Sequence, residues 1–152
     1  MKLAVSCDEY DPIMDSLVEE LKKRGHEVHL FGPRNKQEAS VDWPLVTEKA
    51  VKEVQQGRCD QAIILCWTGT GASITANKMK GIYAALCVDA ETAKGARTYN
   101  HANVLALSLR LLSRGVLTEI LDAWFKTPCG NDDWNQLQVN RVKELEAKVF
   151  SN

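Results

Sequence analysis

A thiol, two hydroxyls and two glycines fall within six residues in Cys66-Trp67-Thr68-Gly69-Thr70-Gly71. The apolar run Ala62-Ile63-Ile64-Leu65 precedes them, and a helix-capable stretch ending in Asn77-Lys78 follows. Four aliphatic residues after a polar Asp60-Gln61 read as a strand buried on both faces, as in a parallel sheet. Gly69 and Gly71 open backbone conformations closed to other residues and allow a ligand to come close. The first N–H groups of the helix beyond them have no partners within it. Such groups favour a neighbouring thiolate and can hold an anion or a developing oxyanion. The chemistry on offer is proton transfer by Cys66, with the Thr68 hydroxyl at the lip and negative charge met by the backbone. The bland alternative is that Cys66 is a small buried hydrophobe, the reading given to Cys7, Cys59 and Cys87. A nucleotide is not implied, because the turn matches neither Gly-x-Gly-x-x-Gly nor the phosphate loop ending in Lys-Ser/Thr.

The other candidates carry competing readings. Asp8 can bind a ligand or simply cap the helix that follows. Asn100-His101 can serve a ligand or end a helix, and Arg110 and Arg141 can be solvated charges.

The elements that must position these groups alternate along the chain. Strands are expected at Lys2–Ser6, Val28–Phe31, Ala62–Leu65, Gly81–Cys87 and Asn103–Leu107. A helix follows Pro12, with Ile13, Leu17 and Leu21 on its buried face and Gly25 as its stop. Asp42-Trp43-Pro44 opens the next, with proline suited to its first turn, and Gly57 ends it. Arg34 to Ser40 reads as a surface loop. Further helices are expected from the glycine turn to Met79, and over Asp89–Thr98, Val116–Phe125 and Trp134–Phe150. Alternation of this kind specifies one doubly wound α/β domain over residues 1–152: a five-stranded parallel sheet, helices on both faces and a C-terminal helix. Such sheets bind ligands beyond the carboxyl ends of their strands, where the strand order reverses, commonly between the first and third. Asp8 and Cys66 stand at those two ends.

The net charge of −1 argues against a nucleic-acid or membrane-surface partner. No apolar run approaches the roughly 20 residues of a membrane span, and Cys7-Asp8-Glu9 interrupts the opening apolar stretch too soon for a signal peptide. A cytoplasmic protein is expected. The five cysteines are odd in number and sit largely in strand-like runs. With no Cys-x-x-Cys or His-x-x-x-His pair, they are expected to be free thiols outside any zinc motif.

Ser6-Cys7-Asp8, Asp42-Trp43-Pro44, Cys66 to Gly71 with Ser73-Ile74 and Ala76-Asn77-Lys78, and Gly81-Ile82 with Ala84-Ala85-Leu86-Cys87 form one ordered set. Arg97 to Asn100, Asn103 to Leu107, Arg110 and Leu121-Asp122-Ala123-Trp124 extend it. In this order and spacing the chain resembles, over nearly its whole length, the type B ribose-5-phosphate isomerases and the related galactose-6-phosphate isomerase subunits. The resemblance implies a Rossmann-like sheet in a homodimer or homotetramer whose active sites draw residues from both subunits. It implies an aldose and a ketose, free or phosphorylated, interconverted through a cis-enediol with neither metal nor organic cofactor. Cys66 would be the base, and Thr68 would assist the proton traffic. The backbone of Trp67, Gly69, Thr70 and Gly71 would hold the enediolate oxygens, while Asp8 would bind sugar hydroxyls and Asn100 the carbonyl end.

The chain departs from the family pattern where phosphate should bind. Glu9 stands where the family has a histidine, and Trp43 where it has tyrosine. The ring-opening histidine is replaced by Tyr99, a poor base at pH 7 but a usable donor, with His101 two positions on. Gly130-Asn131-Asp132-Asp133-Trp134 replaces a Gly-Gly-Arg-His pattern, and of two family arginines only Arg141 has an evident counterpart, with Arg110 nearer the centre of the chain. A sugar other than ribose 5-phosphate is expected. The competing readings are a non-catalytic sugar- or metabolite-binding subunit of the same fold, and a nucleotide- or flavin-binding domain.

Overall fold

The computed structural model describes residues 1–151. Five parallel strands, β1 (Lys2–Cys7), β2 (Glu27–Phe31), β3 (Gln61–Cys66), β4 (Ala84–Leu86) and β5 (Val104–Ser108), form a sheet of order β2-β1-β3-β5-β4. The order reverses between β1 and β3, the crevice at which doubly wound sheets hold ligands. Helices α1 (Pro12–Lys23), α2 (Trp43–Gln55), α3 (Thr70–Ala76), α4 (Ala90–Asn100), α5 (Arg114–Lys126) and α6 (Asp133–Val149) complete the chain. Among the described residues, no helix is long and apolar enough to cross a membrane.

Alternation along each strand divides the interior into two layers. Leu3, Val5 and Cys7 of β1 and Ile63 and Leu65 of β3 pack with α1 and α5, whereas Ala4, Ala62, Ile64 and Cys66 pack with α2 and α3. Each fully buried leucine or isoleucine there contributes about 1.5–3 kcal/mol. Trp124 of α5 is buried, and its indole N–H donates to Gln61 Oε1 at 2.7 Å while the Arg97 guanidinium lies 5.3 Å from its ring. The polar end of the indole is therefore satisfied inside the core.

Two elements are shorter than the sequence suggests. The fourth strand occupies Ala84–Leu86, not Gly81–Cys87, because the backbone before it is bound elsewhere. Gly81 N–H donates to Glu146 Oε1 at 2.6 Å, Ile82 N–H to the Met79 carbonyl at 3.1 Å and Tyr83 N–H to Asn103 Oδ1 at 2.8 Å. On the free edge, Asn77 acts as a substitute strand: its amide donates to the Ala84 carbonyl and accepts from Ala84 N–H, each at 2.9 Å. The helix after the glycine turn stops at Ala76, short of Met79. Lys78 and Met79 N–H reach back to the carbonyls of Thr75 and Ala76, tightening the end into single turns.

Candidate active site

The pairing of Cys7 with Leu65 sets the next residues, Asp8 and Cys66, at neighbouring positions beyond the carboxyl edge of β1 and β3. A cavity of about 260 Å³ opens there, lined by Asp8, Trp43, Cys66, Trp67, Thr68, Thr70 and Gly71. Asp8 is not the cap of α1. That role falls to Asp11, whose carboxylate accepts from Ile13 N–H at 2.8 Å, leaving Asp8 to face the cavity. Burial pushes the Asp8 carboxyl above the usual carboxylate range, against the opposing pull of its own N–H, that of Glu9 and the Cys7 thiol.

The turn carrying the thiol is held from the β5 side. The Cys66 carbonyl accepts from Leu109 N–H at 3.1 Å, and the Trp67 carbonyl accepts from Arg110 N–H and from the Ser108 hydroxyl, both at 3.0 Å. Gly69, the N-cap of α3, has φ of +76°, and a Cβ there would lie 2.5 Å from Leu86 Cδ1 and 2.8 Å from the Leu107 carbonyl oxygen. Only glycine fits. A Cβ on Gly71 would come within 3.0 Å of the Trp43 indole, so the bare backbone is what lets that ring cover the turn. The hydroxyls of Thr68 and Thr70 share a hydrogen bond of 2.8 Å. Among the described residues, the N–H groups of Thr68 to Gly71 make no backbone hydrogen bond outside α3, and those opening a helix have none within it. Cys66 is 6% exposed, and Trp43 and Trp67 are 43% and 56% exposed. A nearly enclosed sulfur thus meets the cavity between two open aromatic walls. The arrangement can hold a small polyol against a thiol, with hydroxyls and amide hydrogens beside it.

Other sequence-predicted residues lie elsewhere. Tyr99 and Asn100, at the end of α4, line a second cavity of about 270 Å³ with Tyr83, Gln138 and Val142, and the two cavities share no lining residue. His101 ends α4 with φ of +51°, and its Nε2 lies 2.7 Å from the Gly130 carbonyl, tying α4 to the segment before α6. Glu9 is half-buried, Arg110 and Arg141 are exposed, and none of the three lines either cavity. Asp132 caps α6 through Asn135 N–H at 3.1 Å, which holds its carboxyl below the usual range. Ser108 escaped sequence reasoning. Its one signal is a hydroxyl closing the otherwise apolar Val104–Leu107 run, where it pins the Trp67 carbonyl.

Burial pushes Cys7 and Cys87 up to about 12 and raises Cys59, so all three are core thiols in the resting chain.

Residues 3–145 match the family described as Ribose/Galactose Isomerase. The chain is 31% identical over 149 residues to Ribose-5-P isomerase B of Listeria innocua, spanning 97% of this chain and 99% of that one. It is 34% identical over 146 residues to galactose-6-phosphate isomerase subunit LacB of Clostridium acetobutylicum, spanning 95% and 83%. The structure matches ribose-5-phosphate isomerase B of Clostridium thermocellum with a TM-score of 0.89 at 35% identity, over 98% and 99% of the two chains.

Proposed function

The chain belongs to the ribose/galactose isomerase family, and on that premise we propose that it interconverts an aldose and its ketose through a cis-enediolate, with Cys66 as the base. The observation that carries this is the single cavity onto which Cys66, Asp8 and Thr68 converge. The Cys66 thiolate takes the proton from C2 and returns it to C1. Charge that develops on the two substrate oxygens is met by the N–H groups of the glycine turn. Thr68, coupled to Thr70, moves the proton between those oxygens, and Asp8 accepts hydrogen bonds from sugar hydroxyls.

The substrate we propose is a sugar or sugar phosphate other than ribose 5-phosphate. Among the described residues, Asp8 is the only charged one lining the Cys66 cavity, and none of those lining it is a cation. A charge-assisted hydrogen bond contributes about 1.5–3 kcal/mol; loss of one arginine and one histidine to Glu9 and the Asp132-Asp133 segment weakens phosphate capture by several factors of ten.

A second copy of the chain completes the site in this reading. Tyr99 and Asn100 are remote from Cys66 within one chain, and Tyr99 is 60% exposed. Along α6, Val142, Leu145 and Val149 are 52–63% exposed, an apolar face suited to a homodimer contact. The cavity bearing Tyr99 and Asn100 on one subunit then closes over the Cys66 cavity of the other.

The test is turnover of a panel of free and phosphorylated aldoses beside proton exchange at C2 in Cys66→Ala. The expected result is preference for a sugar other than ribose 5-phosphate, with exchange lost in the variant by about 1,000-fold or more and binding retained. Selective, efficient use of ribose 5-phosphate refutes the altered specificity, and undiminished exchange in Cys66→Ala refutes the base.

A further inference from the structure

We propose that His29, Glu53 and Cys59 form a zinc(II) site that fastens the end of α2 to the edge strand β2, at the opposite end of β3 from Cys66. One ligand atom from each residue, a ring nitrogen, a carboxylate oxygen and a sulfur, lies within 4.8 Å of the other two. Zinc bonds of about 2.0–2.3 Å at tetrahedral angles place donor atoms about 3–4 Å apart. Small side-chain movements therefore close the set on an ion.

The fold brings the three donors together from separate elements. Val28 and Leu30 pack in the α1/α5 layer, so His29 projects to the other face, the one α2 covers. Glu53 sits near the end of α2, and its backbone carbonyl accepts from Arg58 N–H at 2.8 Å and Cys59 N–H at 3.0 Å. That turn fixes the thiol beside the carboxylate. Cys59 is 4% exposed, whereas the His29 side chain is 38% exposed, which gives an ion a way in from solvent.

The surroundings already have the form that supports a metal. Glu27 Oε1 lies 2.7 Å from His29 Nε2, the carboxylate–imidazole pairing that stands behind metal-bound histidines. Arg58 grips Glu53 with two hydrogen bonds of 2.9 and 2.6 Å. These occupy two of about four lone-pair positions on the carboxylate and leave the rest for an ion. Around Cys59 the carboxylates of Glu53, Asp60 and Glu27 outnumber the cations Lys2 and Arg58, a negative balance that favours a dication. The mixture of nitrogen, oxygen and sulfur suits zinc and excludes calcium and magnesium, which take oxygen shells. Three protein donors leave a fourth position for water. On binding, Cys59 releases its thiol proton to solvent and bonds as thiolate.

The experiment is titration of chelator-stripped full-length protein with zinc, and separately with cobalt(II), whose thiolate charge-transfer absorption reports sulfur ligation. Wild type and Cys66→Ala are expected to bind one zinc per chain and to show the cobalt–thiolate band. His29→Gln and Cys59→Ser are expected to lose at least about 100-fold in affinity, and Glu27→Gln about 10- to 100-fold as a supporting residue. Glu27 is exposed enough that this last variant keeps its fold and preserves the test should the others not. Zinc should also raise the Tm of wild type and leave that of Cys59→Ser unchanged. Failure of wild type to bind zinc, undiminished binding in Cys59→Ser or Glu27→Gln, or loss of the cobalt band in Cys66→Ala overturns the proposal.

Discussion

Cys7 and Cys66 end neighbouring strands yet face opposite layers, and Cys66 opens onto a cavity. In the native protein at pH 8, iodoacetamide should label Cys66 at its cavity and the half-exposed Cys129. Cys7, Cys59 and Cys87 should react only after denaturation, as peptide mass spectrometry would read. Burial holds Cys7 and Cys87 at about 12, whereas an unfolded chain ionises its thiols near about 8.5. The unfolded state therefore sheds these protons first. Stability is intact below about pH 8.5 and falls as pH rises toward 12, by about 2 kcal/mol per thiol at pH 10. Urea midpoints at pH 8 and pH 10 measure the fall, and Cys7→Ala with Cys87→Ala should flatten it. At this scale the glycine turn was legible, because residue type and spacing are local. Whether Asp8 caps a helix or faces a ligand was not: Asp11 is an equally good cap three residues on, and only the folded turn chooses between them.

Gly69 combines a left-handed backbone with contact against both β4 and β5. Gly69→Ala should therefore destabilise the fold by ~3 kcal/mol, read as a lowered denaturation midpoint. For Gly71→Ala the three nearest atoms all belong to the Trp43 ring. The substitution should raise KM several-fold, by moving that wall of the cavity, while costing less than about 1 kcal/mol of stability. Strand and helix identities followed from alternation and apolar spacing, but the ends of two elements did not. The β-like run from Gly81 is drawn out of the ladder by Glu146 and Asn103, the latter twenty residues beyond the Tyr83 N–H it accepts from. No local pattern encodes those partners. Breaking one exposes the dependence: Glu146→Ala frees Gly81 N–H and the Tyr83 hydroxyl, and should speed hydrogen exchange in residues 81–83 without unfolding the sheet.

For the whole molecule, order reversal between β1 and β3 brought Asp8 and Cys66 together as the alternation of elements implied. Tyr99 and Asn100 did not join them, because one chain holds them in another cavity. If a second copy supplies them, Val142→Glu with Leu145→Glu should yield a folded monomer by analytical ultracentrifugation, with turnover reduced at least 100-fold. The His29, Glu53 and Cys59 cluster was equally hidden, since 24 and 6 residues separate its members and no short motif contains them. Along each strand successive side chains enter opposite layers of the interior. Adding a single residue inside β3 would swing the Cys66 sulfur into the α1/α5 layer and turn Leu65 to the cavity instead, whereas adding two would return it to its side. If Cys66 is the base proposed above, the reaction rests on parity, and chains descended from this one can lengthen that strand only in even steps if they are to keep it.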